Sequence, residues 1–91
     1  MAKPQIQILH TDMSQELKKD ALQFASLALN LHEDHRDIAR YIKKEFEQRR
    51  GGSWNCIVGD CGEYSTCVHY QRNSYIRFSV GDTKIVVFRS P

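Results

Sequence analysis

Near the end of the chain, four apolar residues follow one another without interruption: Ile85, Val86, Val87 and Phe88. Side chains along a strand alternate between the two faces of its sheet, so this run predicts a strand that is buried on both faces. Helices packed on one side of a single sheet cover only one of those faces. The sequence therefore favours a second subunit, or a second sheet, against the other face.

Two helices are predicted before most of the strands. In the first, which reaches about Leu31, apolar residues recur at spacings of three and four and form one core-facing stripe. Three residues ahead of this helix have side chains that can cap it: Thr11, Asp12 and Ser14. The second helix is predicted to begin at Asp34 and to end at Gly51 or Gly52, because glycine commonly terminates helices.

The outer face of the second helix is densely charged. Its residues are Arg40, Lys43, Lys44, Glu47 and Arg50. Opposite charges four residues apart stabilise a solvent-exposed helix, so this pattern favours a face exposed to solvent over a face that contacts nucleic acid. The formal net charge of the 91 residues is only +2 and is spread along the chain, which also argues against a nucleic-acid partner.

Five strands are predicted, at residues 5–9, 53–59, 62–70, 74–80 and 84–90, with a compact turn at Gly81 and Asp82. Residues 63–70 carry strand formers on one face and mostly polar residues on the other, which is typical of an edge strand. Such an edge needs a partner, either a strand of another subunit or an added peptide. The fold class is therefore α+β, with two N-terminal helices packed on an antiparallel sheet in a single domain over residues 1–91.

The sequence shows neither a membrane span nor a secretory signal, which predicts a cytoplasmic location. No stretch approaches the ~18 consecutive apolar residues of a membrane span, and the first ten residues lack the apolar core of a secretory signal. We therefore expect no membrane partner. The three cysteines are odd in number and lack a secretory context, so reduced thiols are expected.

Metal binding and catalysis are both weakly supported. Cys56, Cys61, Cys67 and His69 fall within one segment, but their spacing differs from the paired ligands of structural zinc sites. A nucleophile and base can be drawn as Cys67 with His69, or as His35 with Asp37. Neither pair has a third orienting group or an oxyanion loop. We expect no metal, no cofactor and no catalytic residue.

Several segments in order resemble one known family. "DMSQE", "DIARYIKKEFEQR" and "WNCIVG" are followed by a G.Y.T strand and an I.F..G....V.F.S hairpin. This ordered set covers nearly the whole chain and resembles the smallest dynein light chains, the dimeric hub class.

The resemblance implies a strand-exchanged dimer, in which the strand around Tyr64 and Thr66 pairs with the other subunit's sheet and residues 54–59 form the central strand of the interface. The implied interface residues are Trp54, Asn55, Cys56, Ile57, Val58, Tyr64, Thr66 and Cys67. It also implies a groove for extended partner segments, between the crossed strand and the start of the second helix. The implied groove residues are His35, Arg36, Gly62, Glu63, Tyr64, Ser65, Thr66, Cys67, Tyr75 and Arg77.

The function implied is a non-catalytic light chain of a dynein motor complex. It would clamp segments of dynein intermediate chains, or of other disordered partners, by β-strand addition and promote their dimerisation. The dimer would be a homodimer or a heterodimer with a paralogous light chain. The implied location is the cytoplasm and the microtubule cytoskeleton, with a ciliary or flagellar axoneme as a second location.

Departures from the family pattern keep an alternative open. Asn55 and Cys67 replace two histidines that often meet at the dimer interface, which removes the usual protonation switch. Arg77 and Ser79 stand where aromatic residues usually form the groove floor. The alternative is a specialised axonemal subunit that acts only as a structural dimerisation partner, with a lost or altered groove.

Overall fold

The computed structural model describes residues 5–60 and 72–90. Its elements are β1 (Ile6–Thr11), α1 (Gln15–Leu31), α2 (His35–Arg50), β2 (Trp54–Asp60), β3 (Ile76–Val80) and β4 (Thr83–Arg89). The predicted fold class is confirmed, with two helices packed on a four-stranded antiparallel sheet. The strand predicted at 62–70 lies outside the described residues, and strand exchange stays a prediction. Within the described ranges, each helix is too short or too polar to cross a membrane.

The sheet has the order β1-β3-β4-β2, and every neighbouring pair is antiparallel. β1, in which polar and apolar residues alternate, lies at one edge. β2 forms the other edge of the described sheet and pairs only with β4. The expectation that it is the central strand of a dimer interface stays a prediction. A central position for β2 requires a further strand along its outer side.

One face of the sheet and both helices enclose the main core. Alternate residues of the last two strands point into it, among them Phe78 in β3 and Ile85 and Val87 in β4, all fully buried. The helices contribute the stripes that the spacing predicts. Their fully buried residues are Ala21, Ala25, Ala28, Ile42 and Phe46.

The opposite, helix-free face carries a second apolar cluster of Tyr75, Val86 and Phe88. Val86 is 0% exposed and Phe88 is 8% exposed in the single chain. The final strand is therefore buried on both faces, as its sequence predicts. Because the burial is already complete within one chain, this strand does not by itself require a second subunit.

Helix α1 begins at one of the three predicted caps. The hydroxyl of Ser14 accepts a hydrogen bond from the Leu17 backbone N–H at 3.3 Å. Asp12 serves a different purpose, because its carboxylate accepts the backbone N–H groups of Asn73 at 3.1 Å and of Tyr75 at 2.9 Å. Asp12 thus joins the end of β1 to the approach to β3, across 63 positions of sequence.

Helix α2 begins and ends as predicted. The carboxylate of Asp34 accepts the Arg36 backbone N–H at 2.8 Å. At the other end, Gly51 has a φ of 73° and its N–H donates to the carbonyl of Glu47 at 3.0 Å. Glycine adopts a positive φ at less steric cost than any other residue, which explains why the helix stops there.

The charged face of α2 is less uniformly solvated than its sequence suggests. Asp20 of α1 is 4% exposed, and its carboxylate binds Arg50 at 2.8 Å and Arg49 at 3.3 Å. Arg50 was expected on the wet face, yet its guanidinium turns towards this carboxylate. The reason is electrostatic, since a buried carboxylate requires charged donors to offset its lost hydration.

Glu47 connects the same helix to the sheet. Its carboxylate accepts hydrogen bonds from the Lys43 ammonium at 2.8 Å and from the Trp54 backbone N–H at 3.2 Å. The Lys43 contact, followed by the Trp54 N–H, lowers the pKa of Glu47 below its ordinary value of 4.5. The predicted pairing four residues apart therefore exists, and the same carboxylate positions the first residue of β2.

We predict that Asp20→Ala lowers the free energy of unfolding by about 1–3 kcal/mol, because it leaves two arginines without their buried acceptor. We expect a smaller loss of stability than for a fully buried ion pair, because Arg49 and Arg50 are partly exposed and can be hydrated when Asp20 is removed. Urea unfolding measures the loss. Arg40→Ala is the matched control, because its 3.9 Å contact with Asp37 is exposed and should contribute less than about 0.5 kcal/mol. Equal losses in the two variants would contradict the role of Asp20.

A second prediction concerns acid. Because folding holds the pKa of Glu47 low, its stabilisation is present above about pH 4.5 and is lost as the pH falls through the lower pKa of the folded protein. Glu47→Gln should therefore unfold at a lower urea concentration than the wild type at neutral pH, and the gap should narrow near pH 3. Glu33→Gln, at an exposed position, is the control. A gap of constant size would show that charge is not the cause.

Candidate partner-binding site

The predicted groove and interface fall partly within the described residues. Six of the predicted residues lie outside them: Gly62, Glu63, Tyr64, Ser65, Thr66 and Cys67. The others divide between two layers of the fold. His35 and Arg36 begin α2 in the helix layer, whereas Tyr75 and Arg77 lie on the helix-free side of the sheet.

The start of α2 offers fewer donors than its sequence suggests. The first N–H groups of a helix lack acceptors within the helix, so those of residues 35–37 could in principle bind a partner's side-chain oxygen. The N–H of Arg36 already donates to the Asp34 carboxylate at 2.8 Å. That donor is occupied by the helix cap, so a partner oxygen at this position would have to displace Asp34.

The side chains of β2 alternate between the two faces. Trp54 is 2% exposed, its ring stacks on Phe46 at 4.5 Å, and its indole N–H donates to the Gly51 carbonyl at 2.9 Å. Cys56 and Val58 pack against the same core. These three predicted interface residues therefore point into their own subunit, and β2 can meet a partner through its backbone edge and its other face.

That other face of β2 presents Asn55 and Ile57. Ile57 is 36% exposed, and Asn55 donates a hydrogen bond from its side-chain amide to the Ser90 hydroxyl. Asn55 carries no titrating group. It is held by Ser90, the residue that directly follows β4, and faces the side of the sheet that contains Tyr75 and Phe88.

The strand register places four residues in one row across the helix-free face. His10 of β1 is paired with Arg77 of β3, Arg77 with Val86 of β4, and Val86 with Ile57 of β2. Tyr75 adjoins this row, with its ring 5.7 Å from that of His10 and 6.4 Å from that of Phe88. The structure thus brings Tyr75 and Arg77 onto the same face as Asn55 and Ile57.

Arg77 carries a polar group without a visible acceptor. Its Nε is buried and has no hydrogen-bond partner in the part of the chain that the structure describes. A buried donor that lacks an acceptor costs on the order of 1–3 kcal/mol. An acceptor supplied by another chain would relieve this cost.

The residues considered for chemistry do not form a reactive centre among the described residues. Burial raises the pKa of the Cys56 thiol, which disfavours the thiolate that acts as nucleophile or metal ligand. Within ranges 5–60 and 72–90, no three histidine, cysteine or acidic side chains converge as metal ligands. Cys61, Cys67 and His69 lie outside these ranges.

Sequence reasoning missed the contacts that position Tyr75. Besides the two backbone N–H groups that donate to the Asp12 carboxylate, the Arg89 backbone N–H donates to the buried hydroxyl of Ser74 at 3.2 Å, which ties the approach to β3 to the end of β4. Asn73 adopts a positive φ of 66°. Asparagine tolerates that conformation better than most residues, so the "RNS" tripeptide was the available signal for a turn here.

Comparisons with known proteins agree with this architecture. A family model described as dynein light chain type 1 matches residues 5–90. A cytoplasmic dynein light chain of Emericella nidulans is 33% identical over 84 residues, which cover 92% of this chain and 87% of that protein. The match confirms the family suggested by the sequence segments, whereas a single domain over residues 1–91 stays a prediction.

Solved structures show the same fold. The dynein light chain-like domain of a Fasciola hepatica calcium-binding protein superposes with a TM-score of 0.82 at 21% identity, covering 94% of this chain and 92% of that domain. The DLC-like domain of CsTAL3 has a TM-score of 0.73 at 18% identity, covering 92% and 90%. At these identities the likeness extends to the fold alone.

Proposed function

Because the chain belongs to the dynein light chain type 1 family, we propose that it is a non-catalytic, dimeric light chain of a dynein motor complex. It clamps extended segments of dynein intermediate chains, or of other disordered partners, by β-strand addition. The observation that carries this function is the outer edge of β2, which pairs with no other strand in the described part of the sheet.

The two edges of the described sheet differ in how well they suit strand addition. β1 carries a register shift between Ile8 and His10. Such irregularities make an edge strand less able to pair with a further strand. β2 pairs with β4 in unbroken register over all seven of its residues, Trp54–Asp60. A regular strand presents evenly aligned N–H and C=O groups on its outer side, so β2 is the edge that best supports a further strand.

We assign the added strand to residues 62–68 of a second subunit, with Tyr64 and Thr66 at its centre. Partner segments would then pair along the far side of that strand. Ile57 supports this arrangement, because it is an exposed apolar residue on the β2 face that an exchanged strand would approach. An acceptor from the second chain or the bound segment would also satisfy the buried Nε of Arg77.

The second subunit is a copy of this chain or a paralogous light chain. The cytoplasmic relative supports a location in the cytoplasm with the microtubule cytoskeleton. Asn55 has no protonation step, so the interface would not respond to mild acid through this position.

A structural subunit without a working groove is the second candidate, and two observations favour it. The Arg36 N–H is occupied by Asp34, which removes one donor from the groove end. Ser79, at a position where aromatic residues usually form the floor, is 8% exposed and offers little apolar surface. A subunit of this kind, in an axonemal dynein, would dimerise without binding peptides.

We predict that the chain is a dimer at micromolar concentration and that Ile57→Glu weakens the dimer at least about tenfold, because the charge would be desolvated at the interface. Sedimentation equilibrium measures both. Leu31→Glu is the matched control, since Leu31 is an exposed residue of α1 on the helix side. A folded monomer over this range, both alone and with a paralogous light chain, would exclude the strand-exchanged model.

We predict that Thr66→Pro abolishes binding of an intermediate-chain peptide, because proline removes a backbone donor and fixes the local angle. Arg77→Ala should retain binding but reduce the preference for peptides with an acidic residue, by about 1 kcal/mol. Fluorescence anisotropy with a labelled peptide measures both effects. Full affinity in a dimeric Thr66→Pro protein would place the site elsewhere, whereas a wild-type dimer that binds no peptide would favour the structural subunit.

A further inference from the structure

A cleft of about 220 Å³ lies where α1 begins, α2 ends and β4 ends. Six of its described lining residues are polar or charged: Ser14, Arg50, Arg72, Asn73, Ser74 and Arg89. They come from four separate parts of the chain and include three arginines. Such a convergence of cations is electrostatically unfavourable unless anions offset it.

The described anions offset only part of this charge. Arg50 is paired with Asp20, which also binds Arg49. Arg72 and Arg89 form no ion pair with a described carboxylate, although Arg72 is exposed and Arg89 is half-buried. Two acidic residues lie two positions from Ser14. Both oxygens of Asp12 already accept the N–H groups of Asn73 and Tyr75, and Glu16 is exposed in the first turn of α1. Among the described residues, the arginines that line the cleft therefore outnumber the carboxylates paired with them.

The other groups at the cleft suit an anion. Ser14 is the N-cap of α1, and the positive end of that 17-residue helix opens beside it. Arginine guanidinium groups bind phosphate oxygens through two parallel N–H donors, a geometry that lysine cannot reproduce. Arg72 lies in the turn before β3 and Arg89 is the last residue of β4, so two guanidinium groups line the cleft from different parts of the chain.

The size of the cleft limits the ligand. Pockets that enclose whole drug-sized ligands typically measure roughly 300–1,000 Å³. At about 220 Å³ the cleft suits a single tetrahedral oxyanion rather than a whole nucleotide. It is also separate from the proposed peptide groove, because Arg50 and His35 lie at opposite ends of the 16-residue helix α2, which spans about 24 Å.

We propose that this cleft is a binding site for a phosphate group, either inorganic phosphate or the phosphate of a phosphorylated side chain on a partner chain. Arg72 and Arg89 bind its oxygens, and Arg50, already held by Asp20, contributes charge from the side. The site lies beyond the proposed clamp and does not depend on it.

Two-dimensional NMR tests this site. Sodium phosphate is titrated into the wild-type protein against sodium chloride at equal ionic strength. Phosphate, but not chloride, should cause saturable shifts of the amides of residues 14–17, 72–74 and 89. Arg72→Gln with Arg89→Gln should weaken the apparent affinity at least tenfold, whereas Arg40→Gln, which removes an exposed charge elsewhere on α2, should leave it unchanged.

A second titration distinguishes the two sources of phosphate. A short peptide with one phosphoserine is compared with its unphosphorylated form. Binding of the phosphopeptide at least tenfold tighter than inorganic phosphate assigns the group to a partner chain, and equal binding assigns a free anion; either result supports the site. Shifts that chloride reproduces, or that persist in the double variant, overturn it. If the double variant does not fold, the exposed Arg72→Gln alone must weaken binding at least threefold.

Discussion

The contact between Phe46 and Trp54 joins the helix layer to the sheet, and much of the fold depends on it. The Trp54 ring stacks on Phe46 at 4.5 Å, and Phe24 of α1 meets the same Phe46 edge-on at 5.1 Å. One aromatic residue of α2 thus contacts both α1 and β2. Glu47, the next residue, accepts the Trp54 backbone N–H and fixes where β2 begins. Aromatic pairs of this kind add about 0.5–1.5 kcal/mol beyond the area that they bury.

Local signals made the helices and most strands predictable, whereas tertiary partners did not appear in the sequence pattern. Ser14, Asp34 and Gly51 act within one helical turn, so their roles follow from residue type alone. Arg50 differs, because its partner Asp20 is 30 positions away and no periodicity reveals it. The strand order β1-β3-β4-β2 was not predicted for the same reason, since strand order depends on long-range pairing.

The candidate site, too, was predictable from the sequence only in part. Alternation along β2 fixes which residues share a face once one of them is known to be buried. The only tryptophan marks that residue, so the inward direction of Cys56 and Val58 follows from Trp54. The resemblance placed Arg36 in the groove, but it could not show that the Arg36 backbone N–H already donates to the Asp34 carboxylate. A residue can therefore keep its place in a family's groove while its backbone donor is engaged within its own chain. Such competition is visible only in the hydrogen bonds.

The two surfaces proposed for partners meet at one residue pair. Trp54 begins β2 and lines the phosphate cleft, and its partner in the β-ladder is Arg89, a phosphate ligand in our proposal. A strand added along the outer edge of β2 would therefore start close to the cleft. If a chain bound to the dimer carries a phosphate near this end of β2, Arg72 and Arg89 could bind it while the backbone pairing is retained. Strand addition is tolerant of sequence, because backbone groups supply its hydrogen bonds. A charged cleft at the end of the strand adds the selectivity that backbone pairing lacks.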